Sequence, residues 1–367
     1  MAEGESKFKE VLAEANIKPS WKLYFVDAMG QMALALFASL LIGTILNTIG
    51  VLLPDGNAMG EYLLSISQYT SLASGAAMAG AIAYSLQAPP LVLYSILSVG
   101  VASNVLGGAA GPLLILIVAI IATEVGKFFS KKTRLDILIT PAITIMVGVS
   151  LAQLFAPALT TAVDWVIHII NWSMDKQPIL MGAIIAVLMG ICLTLPISSA
   201  VIAVALNMAG LAGGAALAGC CAQMMGFAAM SKRDNNWGGF TAQAIGTSML
   251  QMPNIAKNPR TWIPPILTSA ITGALATSIL RIEMNGSPIS SGMGTSGLVG
   301  PIGVITGWFN PSTEALAQGA QLMNPGFYDW FSLVMISIVL PVILTLIFAA
   351  ILRKLGWIRD GDLAIDS

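Results

Sequence analysis

Charged residues interrupt this chain only at intervals. Between them run long stretches without Asp, Glu, Lys or Arg: 28–54, 62–123, 137–163, 177–231, 235–256, 261–280, 284–313 and 330–352. A helix needs about 20 mostly apolar residues to cross a bilayer's hydrocarbon core at about 1.5 Å per residue. Seven segments read as spans, at 25–53, 62–87, 90–104, 111–129, 135–155, 178–196 and 330–352, and two more are expected within 200–230 and at 262–281. The pattern predicts an all-α fold class, a polytopic membrane protein of about 8–10 transmembrane helices. Ahead of the first span, Phe8, Val11, Leu12 and Ala15 recur at helical spacing beside Lys7, Lys9, Glu10, Glu14 and Lys18. That is the pattern of a helix lying at the membrane surface, so 1–24 is expected to be a cytoplasmic, interfacial N-terminal helix rather than a signal peptide, with a frayed polar tail as the alternative.

Composition agrees with the pattern. Of 367 residues, 56% are hydrophobic and 35 are charged, where a soluble domain of this length would carry about 90 charges. A soluble globular protein is excluded, as are a nucleic-acid binder, which needs basic surface, and a disordered chain, which needs low hydrophobicity. The bilayer is a partner and nucleic acid is not. Basic residues cluster at 7–22, at 127–134 (Lys127, Lys131, Lys132, Arg134) and at 353–359 (Arg353, Lys354, Arg359). The positive-inside rule places all three clusters, and with them both termini, in the cytoplasm. Lys232 and Arg233 suggest more weakly that 231–239 is cytoplasmic too, whereas Trp165, His168 and Trp172 suggest that 157–176 lies at the outer interface. The expected organisation is an N-terminal membrane half, 25–176, acting as scaffold, a C-terminal half, 177–352, holding the substrate site, and a cytoplasmic tail, 353–367. Cys192, Cys220 and Cys221 lie in apolar sequence without C-x-x-C spacing and read as buried thiols.

Two internal echoes stand out. Leu72–Gly80 (LASGAAMAG) returns as Leu211–Gly219 (LAGGAALAG); either an internal repeat of the kind that builds transporters or close helix packing through small residues would account for it. The second echo is Gly246–Pro253 (GTSMLQMP) and Gly294–Pro301 (GTSGLVGP), sharing G-T-S-x-L-x-x-P. Both copies are charge-free yet broken by Gly and Pro. Irregular backbone at membrane depth is tolerated where it is buried in protein or lines a polar cavity, and paired broken segments point to a transporter's binding site. Two re-entrant hairpins are therefore expected, at 240–260 and 287–309.

Their tips define the candidate substrate site. Thr247, Ser248, Gln251 and Asn254 on one, and Thr295 and Ser296 on the other, offer neutral donors and acceptors, with Gly294 and Gly297 baring backbone groups. Such a set suits a polyhydroxyl solute, or a carboxylate held by backbone N–H groups. Gln223 and Ser199, polar interruptions in apolar sequence, are added as weaker candidates. Glu124, one turn before Lys127, is the best candidate for a coupling charge inside a span, although a surface pair at the helix end is the simpler account. Neither a metal site nor a cofactor is expected, and a coupling ion is left unidentified.

Gly219–Met224 (GCCAQM), Gly246–Ile255 (GTSMLQMPNI), Lys257–Pro265 (KNPRTWIPP) and Gly292–Gly300 (GMGTSGLVG) together resemble the EIIC-like permeases of the bacterial phosphotransferase system, in particular the perfringolysin-regulator-like, or toxin-regulator, subgroup. The resemblance implies an elevator-type helical homodimer carrying a small, sugar-like solute by alternating access, with phosphorylation supplied by separate EIIA and EIIB proteins and no catalytic residues of its own. Glucose-type relatives have a glutamate in a G-I-T-E-like motif that neither tip here contains. An ion-coupled carrier of a small organic acid and a membrane sensor regulating gene expression remain as alternatives.

Overall fold

The computed structural model describes residues 15–54 and 56–365; most of the expected surface helix at 1–24 lies outside them. In chain order the helices are α1 (Leu23–Leu52), α2 (Ala58–Ser85), α3 (Pro90–Gly107), α4 (Gly111–Phe129), α5 (Asp136–Met174), α6 (Pro178–Thr194), α7 (Ser199–Ala205), α8 (Gly210–Met230), α9 (Trp237–Thr241), α10 (Met252–Lys257), α11 (Ile263–Ser278), α12 (Pro288–Ser291), α13 (Val299–Phe309), α14 (Thr313–Ala317) and α15 (Phe327–Lys354). Among the described residues the only β pairing is an isolated bridge between Gly210 and Met284. The architecture is all-α, as expected. Among the described residues five runs are long and apolar enough to cross a membrane, with α3 and α4 counted as one run, and α6 is a shorter apolar helix.

Prolines set several starts. α3, α4, α6, α11 and α12 each carry Pro in the first helical turn, where its missing N–H has no intrahelical partner to lose and its fixed φ suits the helix. One expectation changes. The segment 157–176 is not separate from the span before it: α5 runs unbroken for 39 residues through Pro141 and Pro157. Membrane helices tolerate proline inside a span, and the Thr160 and Thr161 hydroxyls donate back to Pro157 O at 3.1 and 2.7 Å, as Thr commonly does within a helix. The span expected within 200–230 is α8, entered from the short α7 through a turn at Asn207 and Gly210, whose φ are 46° and 57°.

The chain forms two compact units. The first comprises 15–40 and 68–161, the second 41–67 and 162–365. In the first, α3 and α4 form an antiparallel hairpin turned at Gly108, whose φ of 51° with ψ of −119° lies outside the left-handed region open to other residues, and Val92 lies against Gly126. A Cβ on Gly75 of α2 would stand 2.7 Å from Gly100 O of α3, and one on Gly148 of α5 only 2.5 Å from the Val99 side chain. Backbone-to-backbone approach of this kind holds membrane helices together where hydrophobic burial cannot distinguish protein from lipid.

The second unit is built on α6, α8 and α11, with α15 packed against α8 and α11. A Cβ on Gly219 would collide with Ala186 O, and Gly182 and Gly273 meet backbone to backbone. Both copies of the LAxGAAxAG echo are thus used in the same way, as small-residue packing surfaces. Beside them Leu217, Cys221, Met284, Val304, Trp308 and Ile336 form one apolar cluster. α8 and α15 run parallel: Gly226 abuts Thr345, and at their ends Arg353 Nη2 donates to Met230 O at 3.0 Å. The loop 231–239 and the segment after α15 therefore emerge at one end of this unit.

Candidate functional site

Both broken segments lie in the second unit, and both are irregular, as their Gly and Pro content predicts. Residues 240–260 are a succession of short turns rather than a simple hairpin. After α9 comes a π turn (Ala242–Gly246), then Thr247 in extended conformation, whose hydroxyl accepts from Met249 N at 3.1 Å and starts a 3-10 turn (Ser248–Gln251). Pro253 sits in the first turn of α10. Residues 287–309 form a helix–turn–helix, with Gly294, Gly297 and Leu298 all at positive φ between α12 and α13. The shared G-T-S-x-L-x-x-P pattern consequently does not produce a shared backbone: Thr247 is extended (φ −156°, ψ 141°) and Thr295 is not (φ −83°, ψ 5°).

The two segments meet against α8. Thr295 Oγ1 donates to Ala244 O at 2.6 Å, and Gly294 leaves room for the Cys220–Cys221 backbone, which a Cβ would approach to 2.8 Å. Gly297 lies over Ile45 of α1 with no space for a side chain. The side chains of Ser199, Gln223, Thr247, Ser248, Gln251, Asn254, Thr295 and Ser296 are all buried, none more than 4% exposed. In a low-dielectric interior such groups are tolerable only when hydrogen-bonded; Gln223 and Ser248 belong to one side-chain network and Gln251 and Asn254 to another.

The first centres on Gln223. Its Oε1 accepts from Trp262 Nε1 at 2.9 Å and Thr194 Oγ1 at 3.2 Å, and its Nε2 donates to Ser269 Oγ at 3.2 Å. Thr194 in turn shares a 2.9 Å bond with Ser248 Oγ. The second runs from Ser231 through Gln243 to Gln251 and Asn254, with Gln243 Nε2–Ser231 Oγ, Gln251 Nε2–Gln243 Oε1 and Asn254 Nδ2–Gln251 Oε1 all at 2.8 Å. It ends on the C-terminal segment: Gln251 Nε2 donates to Leu363 O at 3.1 Å and Asn254 Nδ2 to Ala364 O at 2.8 Å. Asn235 accepts from Ile365 N at 2.8 Å, and Asn258 Nδ2 donates to Asp362 Oδ2 at 2.9 Å.

Ser199 stands apart from both networks, donating to Gly292 O at 2.6 Å and so pinning α7 to the second segment. The Ser296 hydroxyl is buried without a partner. Thr194, Gln243, Trp262 and Ser269 are members that the sequence reading missed. Gln243 was findable, as an amide within a charge-free run; the docking of the tail carries no sequence signal. Lys257 and Arg260 are exposed at the edge, Arg260 stacked 5.1 Å from the Trp357 ring, and join neither network.

The family described as "Phosphotransferase system, EIIC" matches residues 26–365. The chain belongs to that family. No curated protein matches it. This EIIC protein is accordingly a multi-pass membrane transporter, and EIIC domains need no cofactor.

In the first unit, Glu124 and Lys127 of the EIIC protein form a buried rather than a surface pair. Lys127 Nζ lies 3.0 Å from Glu124 Oε2, with side-chain exposures of 1% and 14%. Nζ also donates to Leu86 O at 2.9 Å, closing an open carbonyl at the end of α2, and Tyr24 Oη donates to Glu124 Oε1 at 3.1 Å.

Proposed function

We propose that this EIIC protein carries a small, neutral, sugar-like solute across the bacterial cytoplasmic membrane, with both termini in the cytoplasm, as a homodimer served by EIIA and EIIB proteins. The observation that carries the reading is the buried, charge-free set of hydroxyls and amides where the two broken segments meet against α8. Hydroxyls of a sugar exchange readily with Ser, Thr, Gln and Asn groups, each of which can donate and accept. Binding would replace bonds such as Thr194–Ser248 with bonds to solute, and would give the unpartnered Ser296 hydroxyl an acceptor. The missing glutamate leaves phosphoryl chemistry to the partner proteins. Thr247, Ser248, Gln251, Asn254, Thr295, Ser296 and Gln223 are the proposed contacts, with Gly294 and Gly297 shaping the turn and Ser199 holding it. Uptake into proteoliposomes, together with thermal shift against a panel of sugars, tests this. Thr247→Ala, Asn254→Ala and Ser296→Ala should each abolish solute-induced stabilisation while leaving the unliganded melting temperature near that of the parent. Unchanged binding in all three refutes the site.

A second reading, a sensor of the toxin-regulator type, is favoured by one contact set: Leu363 and Ala364 bond directly to Gln251 and Asn254. A solute that displaced those bonds would free the tail. Net flux by the purified protein decides for the carrier, and binding without flux for the sensor. The ion-coupled alternative rests on Glu124 and Lys127 and is tested below.

A further inference from the structure

Independently of the carrier reading, we propose that the cleft where α8 and α15 end side by side binds the headgroup of an anionic phospholipid of the surrounding bilayer. The cleft has a volume of about 890 Å³ and is lined by Arg233, Arg353, Lys354 and Arg359 against a single carboxylate, Asp360. Its other side is apolar, with Leu346 and Ala350 on the outer face of α15, both exposed. The lining thus passes from cations at the helix ends to apolar surface one to two turns back, where acyl chains run.

Two features show that these cations are not already neutralised. Among the described residues the only ion pair within 4.0 Å is Lys127–Glu124, so no carboxylate engages any of the four. Arg353 uses Nη2 on Met230 O, at 3.0 Å, and its Nε is buried with no partner. Asp234 is turned elsewhere, accepting from Gly361 N at 3.1 Å, and Asp362 accepts from Arg359 N at 2.9 Å, a backbone group that leaves the guanidinium free. A chain this poor in charge has gathered four cations around one half-open cleft at the ends of two membrane helices. Basic pockets between helix ends on the cytoplasmic side attract anionic headgroups. A lone phosphate would occupy a small part of the space, whereas a phosphoglycerol head with its first methylenes uses both the cations and the apolar wall.

The test uses the full-length protein in neutral detergent, with phosphatidylglycerol, phosphatidylcholine or inorganic phosphate added, read by native mass spectrometry and thermal unfolding. Phosphatidylglycerol should be retained and should raise the melting temperature, and the other two should do neither. Each cation near a membrane surface is worth about fivefold in affinity for anionic lipid, so Arg353→Gln with Arg359→Gln should weaken retention about 25-fold. Should loss of the Met230 contact unfold that variant, Lys354→Gln with Arg359→Gln is expected to give the same loss. Lys132→Gln with Arg134→Gln removes equal charge from exposed positions of the first unit and should change nothing. Equal retention of the two lipids, the same stabilisation by phosphate alone, or an equal loss in the Lys132/Arg134 pair each overturns the proposal.

Discussion

Gln223 offers the most direct test of whether the buried amide network holds the second unit together. It is fully buried on α8 and makes three side-chain bonds, to Thr194 on α6, Trp262 at the start of α11 and Ser269 within α11. These join the three helices that form the unit's core. Interhelical hydrogen bonds in membrane proteins contribute about 0.6 kcal/mol each on average, so Gln223→Leu should lose about 2 kcal/mol. A second route gives the same size. Thr194 keeps Gly190 O and Ser248, and Ser269 keeps Pro265 O, so the orphan left behind is Trp262 Nε1–H, and an unsatisfied donor costs about 1–3 kcal/mol. Two kcal/mol is about a 30-fold shift in the folding equilibrium. Removing both partners leaves no orphan, so adding Trp262→Phe to Gln223→Leu should cost less than the two single changes together, by about 0.5 kcal/mol or more. Denaturant titration in detergent, followed by helical circular dichroism for the parent, both single variants and the double variant, measures this. Additive losses, or a Gln223→Leu loss within about 0.3 kcal/mol of zero, would show that the network is incidental to stability.

Two further outcomes follow from the geometry. Lys127→Met strands a buried Glu124 and should cost about 3–5 kcal/mol, whereas Lys127→Met with Glu124→Gln should recover most of it; solute uptake by the double variant at the parental rate, across a proton or sodium gradient, would refute a coupling role. Ending the chain after Gly361 removes the Leu363 and Ala364 carbonyls from Gln251 and Asn254, so a cysteine placed at Asn254 should label faster with a soluble maleimide than in the full chain, over a background set by the buried Cys192, Cys220 and Cys221; equal labelling rates would mean that the tail does not cover this segment.

The burial of the two broken segments was legible because of what a membrane interior forbids. Irregular, Gly- and Pro-broken sequence without charge cannot sit exposed to lipid, so 240–260 and 287–309 had to be buried, and Thr247, Ser248, Gln251, Asn254, Thr295 and Ser296 are buried. Their partners were not legible. Thr194 and Ser269 look like any hydroxyl that bonds to its own helix, and each does also bond to the carbonyl four residues before it. Glu124 and Lys127 were correctly paired from their i,i+3 spacing, but burial came from α2 and Tyr24, which are remote in sequence. The continuity of α5 was misjudged because aromatic residues at 165 and 172 signal an interface without saying whether the helix stops there.

Hydropathy and charge alone determined that the protein is all-helical and membrane-embedded, and that its interior is nearly free of charge, because lipid enforces those properties residue by residue. Which polar groups meet was decided only by the tertiary structure. Helices in a bilayer are selected by close backbone approach, at contacts such as Gly219 with Ala186 and Gly75 with Gly100, and that complementarity belongs to pairs of surfaces rather than to any one stretch of sequence. The same holds at the chain's end, where Leu363 and Ala364 engage Gln251 and Asn254 through backbone carbonyls that every residue possesses.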